Sequence, residues 1–187
     1  MGFTQEQLKS FEGKTVPDLL GPDVRLLFVG INPGLWTAAT QTHFCHPSNR
    51  FYPALRKAGL IGLNIDTNVG MTDAQRDQLL MRGIGITNLV SRATARASEI
   101  GADELRQGAK RLLTMIVAQR PAVVAVAGVT AFRTAFGQPE AVMGRQEPDI
   151  SGAQIWAIPN PSGLNAHETT ESLAAWLTKV GKVAGLR

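Results

Sequence analysis

Asn32 stands in the turn Gly30-Ile31-Asn32-Pro33-Gly34, directly after the apolar run Leu26-Leu27-Phe28-Val29. Such a run suits a strand buried on both faces, as in a parallel sheet. Glycine on either side allows close backbone approach and positive φ. Pro33 fixes its own φ and pushes Asn32 out of the α region. A polar amide is thereby held on stiff backbone at the carboxyl end of a buried strand, where open α/β sheets place their ligands. The other reading is a plain strand turn with a capping Asn, since all these residue types are ordinary in turns.

A second stretch repeats the logic. The apolar run Ile155-Trp156-Ala157-Ile158 ends in Pro159-Asn160-Pro161-Ser162-Gly163-Leu164-Asn165-Ala166-His167. Leu164 is an apolar side chain among loop-forming neighbours. Either it folds back onto the core or it serves as a wedge in a base stack, a use proteins make of Leu, Ile, Met and Phe.

Positioning these turns requires a scaffold, and the chain alternates accordingly. Strands are expected over 24–31, 84–90, 122–127 and 154–158. Helices are expected over 4–12, 49–58, 72–81 with Thr72 as N-cap, 103–119, 128–136 and 169–183. Residues 35–47 read as an irregular loop, and the polar segment with Pro139, Gly144 and Pro148 as another. Alternation of this kind predicts one domain over 1–187, an α/β three-layer α/β/α sandwich with a central, mainly parallel sheet.

Composition bounds the function. The 187 residues are 44% hydrophobic, normal for a folded domain with a sizeable core. The first residues lack the apolar core of a signal peptide, and no stretch approaches the roughly 20 apolar residues of a bilayer span. One cysteine, Cys45, excludes an internal disulfide framework and points to a reducing compartment, the cytoplasm. Three histidines without ligand spacing leave no metal site in prospect. The net charge of +4 is concentrated between Arg76 and Arg120. That stretch is either a solvated helix face or a phosphate-facing flank.

GINPG at 30–34 and NPSGL at 160–164, in that order, resemble the mismatch-specific uracil/thymine-DNA glycosylase family within the uracil-DNA glycosylase superfamily. Phe44-Cys45-His46-Pro47-Ser48-Asn49-Arg50-Phe51 resembles the family's FxHPxNRF segment. Gly85-Ile86-Thr87-Asn88-Leu89-Val90 resembles its strand before a basic, Thr-containing loop.

The resemblance implies a uracil-DNA glycosylase-like fold. It implies cofactor-free excision of uracil, ethenocytosine or, in some members, thymine from guanine mispairs by hydrolysis of the N-glycosidic bond. The nucleotide must first be flipped out of the duplex. Asn32 matches the catalytic Asn that positions water. Gly30, Ile31, Gly34, Phe44 and Asn160 match base-binding positions, Phe44 as the stacking aromatic. Ser162, Gly163, Leu164 and Asn165 match the DNA-contacting wedge loop. His46 and Arg50 are expected to tie the loop and helix down.

The partner implied is double-stranded DNA holding a mispaired or damaged pyrimidine, met by a monomer, nucleoid-associated if bacterial, with no membrane involved. A non-catalytic mismatch-binding module of the same fold is the alternative. A nucleotide-binding α/β protein is a further one, although neither phosphate-loop pattern occurs at 30–34.

Four departures stand out. Ala166 replaces the Arg that relatives use to face the estranged guanine, leaving that task to Asn165 or His167. Asn88 stands where some relatives have Lys. Trp36 and Thr37 are larger than usual beside the pyrimidine C5 position. Gly34 lacks the Tyr with which strict uracil enzymes block a C5 methyl.

Overall fold

The computed structural model describes residues 2–186. Its frame is a sheet of five strands: β1 (Leu26–Gly30), β2 (Ile84–Asn88), β3 (Val123–Ala127), β4 (Gly144–Ile150) and β5 (Ala153–Ile158), in the order β2-β1-β3-β5-β4. All pairings are parallel except β4 with β5. The helices are α1 (Gln5–Lys9), α2 (Leu35–Thr40), α3 (Phe51–Lys57), α4 (Asp73–Met81), α5 (Ala102–Gln119), α6 (Val129–Phe136) and α7 (Thr170–Val183).

Strand side chains alternate between faces, and both faces are covered. Leu26 and Phe28 join Phe51 and Leu55 of α3 and Leu173 and Leu177 of α7. Leu27 and Val29 join Leu105, Leu112 and Ile116 of α5 and Phe132 of α6. Burying each such side chain stabilises by about 1.5–3 kcal/mol. The continuous apolar runs of β1 and β3 are therefore required, since neither strand has a solvent face. The expected three-layer α/β/α sandwich with a mainly parallel sheet is the observed architecture. Thr72 caps α4 as predicted, in a reciprocal pair with Gln75.

Two segments differ from the sequence-based expectation. Within 35–47, Leu35–Thr40 is a helix, ended by Gln41 at φ 49°. Its six residues carry little intrinsic helicity; burial of Thr37 and Ala38 decides the matter. The polar segment contains β4, an antiparallel edge strand whose register shifts between Gln146 and Ile150. Pro148 lies in that shift. An edge strand needs hydrogen bonds on one side only, so it tolerates a proline there.

The parallel strands end in a row, with Gly30 opposite Asn88 and Ala127 opposite Ile158. The turns after β1, β2, β3 and β5 therefore share one rim. Among the described residues no helix is long and apolar enough to cross a membrane.

Candidate active site

The turn after β1 is stitched to the segment after β2. Leu89 and Val90 donate their backbone N–H to Gly30 O and Ile31 O, both at 2.9 Å, and Thr94 N–H donates to Pro33 O at 3.1 Å. Asn32 completes the seam. Its Nδ2 donates to Thr94 Oγ1 at 2.8 Å, Pro33 O at 3.0 Å and Arg92 O at 3.2 Å. The Thr94 hydroxyl spends its single proton on Arg96 O at 2.8 Å. Every group facing this end of the amide is thus an acceptor, and that fixes which end carries nitrogen. Asn32 Oδ1 has no protein donor among the described residues and is left to accept from water or substrate.

Arg92, whose carbonyl joins this seam, is held from α5. Its guanidinium forms a bidentate pair with Glu104, Nε to Oε2 at 2.7 Å and Nη2 to Oε1 at 2.8 Å. That pair drops the Glu104 carboxyl to about 2. The loop carrying Thr94 is therefore anchored from both sides of the amide.

Two residues before Asn32, Gly30 forms the floor of a cradle walled by Asn88 and Phe44. A Cβ on Gly30 would overlap Asn88 Oδ1 and press on the Phe44 ring at 3.2 Å. Only a glycine leaves those two groups facing across the strand end. Phe44 is half-buried and adopts φ 55°, uncommon for a bulky residue. Its ring stacks on Phe51 with centroids 4.2 Å apart. Asn88 was expected to matter only as a missing lysine; instead its buried amide lines this cradle. Asn88 Nδ2 meets His43 Nδ1 at 3.0 Å. A polar residue closing a buried strand, directly opposite Gly30, was the available signal for it. Thr94 was missed because its role depends on a contact 62 residues away in sequence.

Ile31 and Asn160 meet at the start of α6. A methyl placed on Gly128 would lie 3.5 Å from Ile31 Cδ1 and 3.8 Å from Asn160 Cβ. Gly34 precedes α2 on the exposed rim, and a methyl there would meet nothing. Thr37, by contrast, is buried with its hydroxyl on Cys45 O. Trp36 bonds Thr67 O and packs edge-on against Phe3 and His46. Both bulky side chains are thus engaged in packing around α2.

The loop after β5 is built from its own polar groups. Asn160 Oδ1 accepts from Ser162 N–H at 3.0 Å, and Asn165 Nδ2 returns to Asn160 O at 3.0 Å. Leu164 N–H donates to Ser162 Oγ at 3.3 Å, and Asn165 Oδ1 accepts from His167 N–H. Arg50 clamps the loop from outside, giving its backbone N–H to Pro161 O and Nη1 to Ser162 O and Asn165 O. Gly163 sits so close to Ser48 that a Cβ would overlap it, 2.6 Å from the Ser48 backbone oxygen.

The product of this construction is Leu164 held 92% exposed, which excludes the reading in which it folds onto the core. His46 bonds Ser48 Oγ at 2.8 Å, inside the segment that receives Gly163. Asn165 is committed at both ends of its amide, while Ala166 and His167 are exposed.

The basic stretch resolves mainly into structural pairs. Arg92 holds Glu104, Arg106 holds Asp103, and Arg76 lies 3.9 Å from Asp73. Arg111 donates to the carbonyls of Asn88 and Leu89. Arg96 is exposed on the loop beside Asn32. Among the described residues, no three of His, Cys, Asp and Glu gather as metal ligands.

The same architecture recurs among solved structures. A candidate uracil DNA glycosylase from Methanosarcina acetivorans, solved by solution NMR, superposes with a TM-score of 0.58 at 18% identity, covering 90% of this chain and 98% of that one. At that identity the likeness speaks to the fold alone. The family model for the uracil DNA glycosylase superfamily matches residues 17–180. That span holds both polar turns, the 44–51 segment and the loop that seats Asn32, and the chain belongs to this superfamily.

Proposed function

We propose that the protein is a monofunctional, mismatch-specific DNA glycosylase. It flips a uracil, or a related pyrimidine paired with guanine, out of the duplex and hydrolyses its N-glycosidic bond, leaving an abasic site. The observation that carries this reading is the Asn32 amide, with its nitrogen seated on three acceptors and its oxygen free at the rim.

An amide oxygen accepts a hydrogen bond from water but takes no proton at neutral pH. Asn32 therefore orients the nucleophile without acting as a strong base. Bond cleavage must run ahead of attack, with negative charge growing on the departing pyrimidine and positive charge on the sugar. The stitched turn keeps its backbone dipoles from reorganising as that charge develops. Phe44, fixed on Phe51, offers a ring face for the flipped base; such stacking is worth about 1–3 kcal/mol. The Asn88 amide faces the same cradle and reads the pairing edge. Leu164, exposed on a rigid loop, fills the gap left in the stack.

The open space at Gly34 leaves room for a C5 methyl, which extends the reading to thymine. With Asn165 engaged and Ala166 apolar, discrimination of the opposite guanine is weaker than in relatives carrying Arg there and falls to loop backbone or His167. The enzyme acts as a monomer in the cytoplasm, on chromosomal DNA.

The test is incubation of duplexes containing U·G, T·G, U·A and ethenocytosine·G, followed by alkaline cleavage of abasic sites. Cleavage at U·G is expected. Binding to mismatched duplexes without any abasic product would replace the enzyme with a binding module.

A further inference from the structure

We infer that Tyr52 is a positioning residue whose hydroxyl holds Phe44 in a left-handed backbone conformation, and so presents the Phe44 ring to the flipped base. This inference rests on the glycosylase reading of the cradle.

Phe44 sits at φ 55°. A bulky residue keeps that conformation only where its surroundings over-determine it. The two peptide planes that meet at the Phe44 Cα are each tied by a hydrogen bond. The plane before it carries the His43 carbonyl, which accepts from the Tyr52 hydroxyl at 2.6 Å. The plane after it carries the Cys45 N–H, which donates to Thr42 O at 3.2 Å. With both planes fixed, φ and ψ of Phe44 are fixed as well. The second bond is local and belongs to the turn itself. The first comes from a side chain of α3.

The rest of the turn is held from two further helices. Arg76 of α4 donates to Gln41 O at 3.0 Å, and the Thr37 hydroxyl of α2 donates to Cys45 O at 3.2 Å. Neither of those bonds reaches a plane that meets at the Phe44 Cα. Tyr52 is buried, and burial pushes its phenol above the ordinary value, so the hydroxyl keeps its proton and donates. Its ring meets Phe51 edge-on with centroids 5.1 Å apart, and Phe51 in turn stacks on Phe44. Adjacent residues of α3 thus fix Phe44 twice, Phe51 through the ring and Tyr52 through the backbone. Released from the hydroxyl, the plane before Phe44 rotates and φ returns to the favoured negative range. The Cα–Cβ bond then swings the ring off Phe51 and away from Gly30.

Wild type, Tyr52→Phe, Phe44→Ala and the double variant test this. The first readout is affinity for a duplex holding 2′-fluoro-2′-deoxyuridine opposite guanine, in which the electron-withdrawing fluorine disfavours the sugar cation and the base stays attached. The control is affinity for a tetrahydrofuran abasic duplex, which has no base to stack. Tyr52→Phe is expected to weaken binding of the fluorinated duplex about tenfold, the order of a lost base stack, and to slow single-turnover uracil excision to match. It should leave abasic-duplex affinity within about twofold, a change inside the error of independent sites, and should cost nothing further in the Phe44→Ala background.

Wild-type affinity and rate in Tyr52→Phe, an equal loss in both backgrounds, or an equal loss on the abasic duplex overturns the inference. Should Tyr52→Phe not fold, Phe44→Gly decides. Glycine adopts positive φ without strain, so Tyr52→Phe is expected to fold in the Phe44→Gly background; failure of that rescue overturns the inference. A wild-type protein that cuts no U·G duplex sinks the glycosylase reading instead, and the affinity cycle still decides for or against Tyr52.

Discussion

Thr94 shares with the backbone of the 30–34 turn the work of aiming Asn32. Its hydroxyl accepts from the Asn32 amide while donating to Arg96 O, so it transmits the loop's position to that amide. Thr94→Val keeps the shape and removes both bonds. It is expected to slow excision at least tenfold and to cost about 1–3 kcal/mol of stability, the penalty of unpaired buried polar groups. Thr94→Ser should restore the rate. A Val variant with the wild-type rate would show that the turn alone aims the amide.

Phe44 divides its ring between Phe51 and the cradle, so Phe44→Ala should lose activity and some thermal stability together. The sequence made Asn32, Phe44 and Leu164 legible because their types are unusual for their surroundings. It left Asn88 and Thr94 obscure, because a buried Asn or Thr acquires meaning only from the partner the fold brings to it.

At the scale of elements, the loop after β5 is held by the segment that leads into α3. Arg50 ties three of its carbonyls, and Gly163 rests on Ser48. Gly163→Ala must push the loop off Ser48. It is expected to reduce excision from U·A duplexes more than from single-stranded uracil DNA, where no stack needs filling. Equal loss on both would remove the loop from the extrusion step. Leu164→Ala should show the same substrate order with an unchanged melting temperature, unlike a buried leucine, whose truncation costs about 2–5 kcal/mol.

The core strands were legible from their continuous apolar runs. Two elements were not: α2, which only tertiary burial of Thr37 and Ala38 makes helical, and β4, whose polar, Pro-containing sequence is possible because it lies at the sheet edge.

For the whole molecule, four parallel strand ends and their turns share one rim, and pairing across that rim couples chemistry to stability. Burial lowers the imidazole of His46 and, deeper within the rim, that of His43. The folded-state pKa of each lies below the unfolded value, so the unfolded chain binds the proton first as pH falls. Stability should be full above about pH 6.5, decline as pH drops through the imidazole range, and level off below the folded-state pKa. The Arg92–Glu104 pair adds no pH dependence in that window, because its carboxyl is ionised in both the unfolded and the folded chain there; its contribution falls only below about pH 4.5, toward the folded-state value of about 2. Melting temperatures from pH 8 to pH 5 check this. A flat profile would mean that His43 is not held neutral.

The central claim is that Asn32 orients the attacking water, and Asn32→Ala tests it most directly. The measurement is the single-turnover rate on a U·G duplex, with affinity for an abasic duplex alongside. The rate is predicted to fall by about 10²-fold or more, as when a preorganised polar group is removed from a reacting centre, with abasic affinity nearly unchanged. Excision at the wild-type rate would contradict the account.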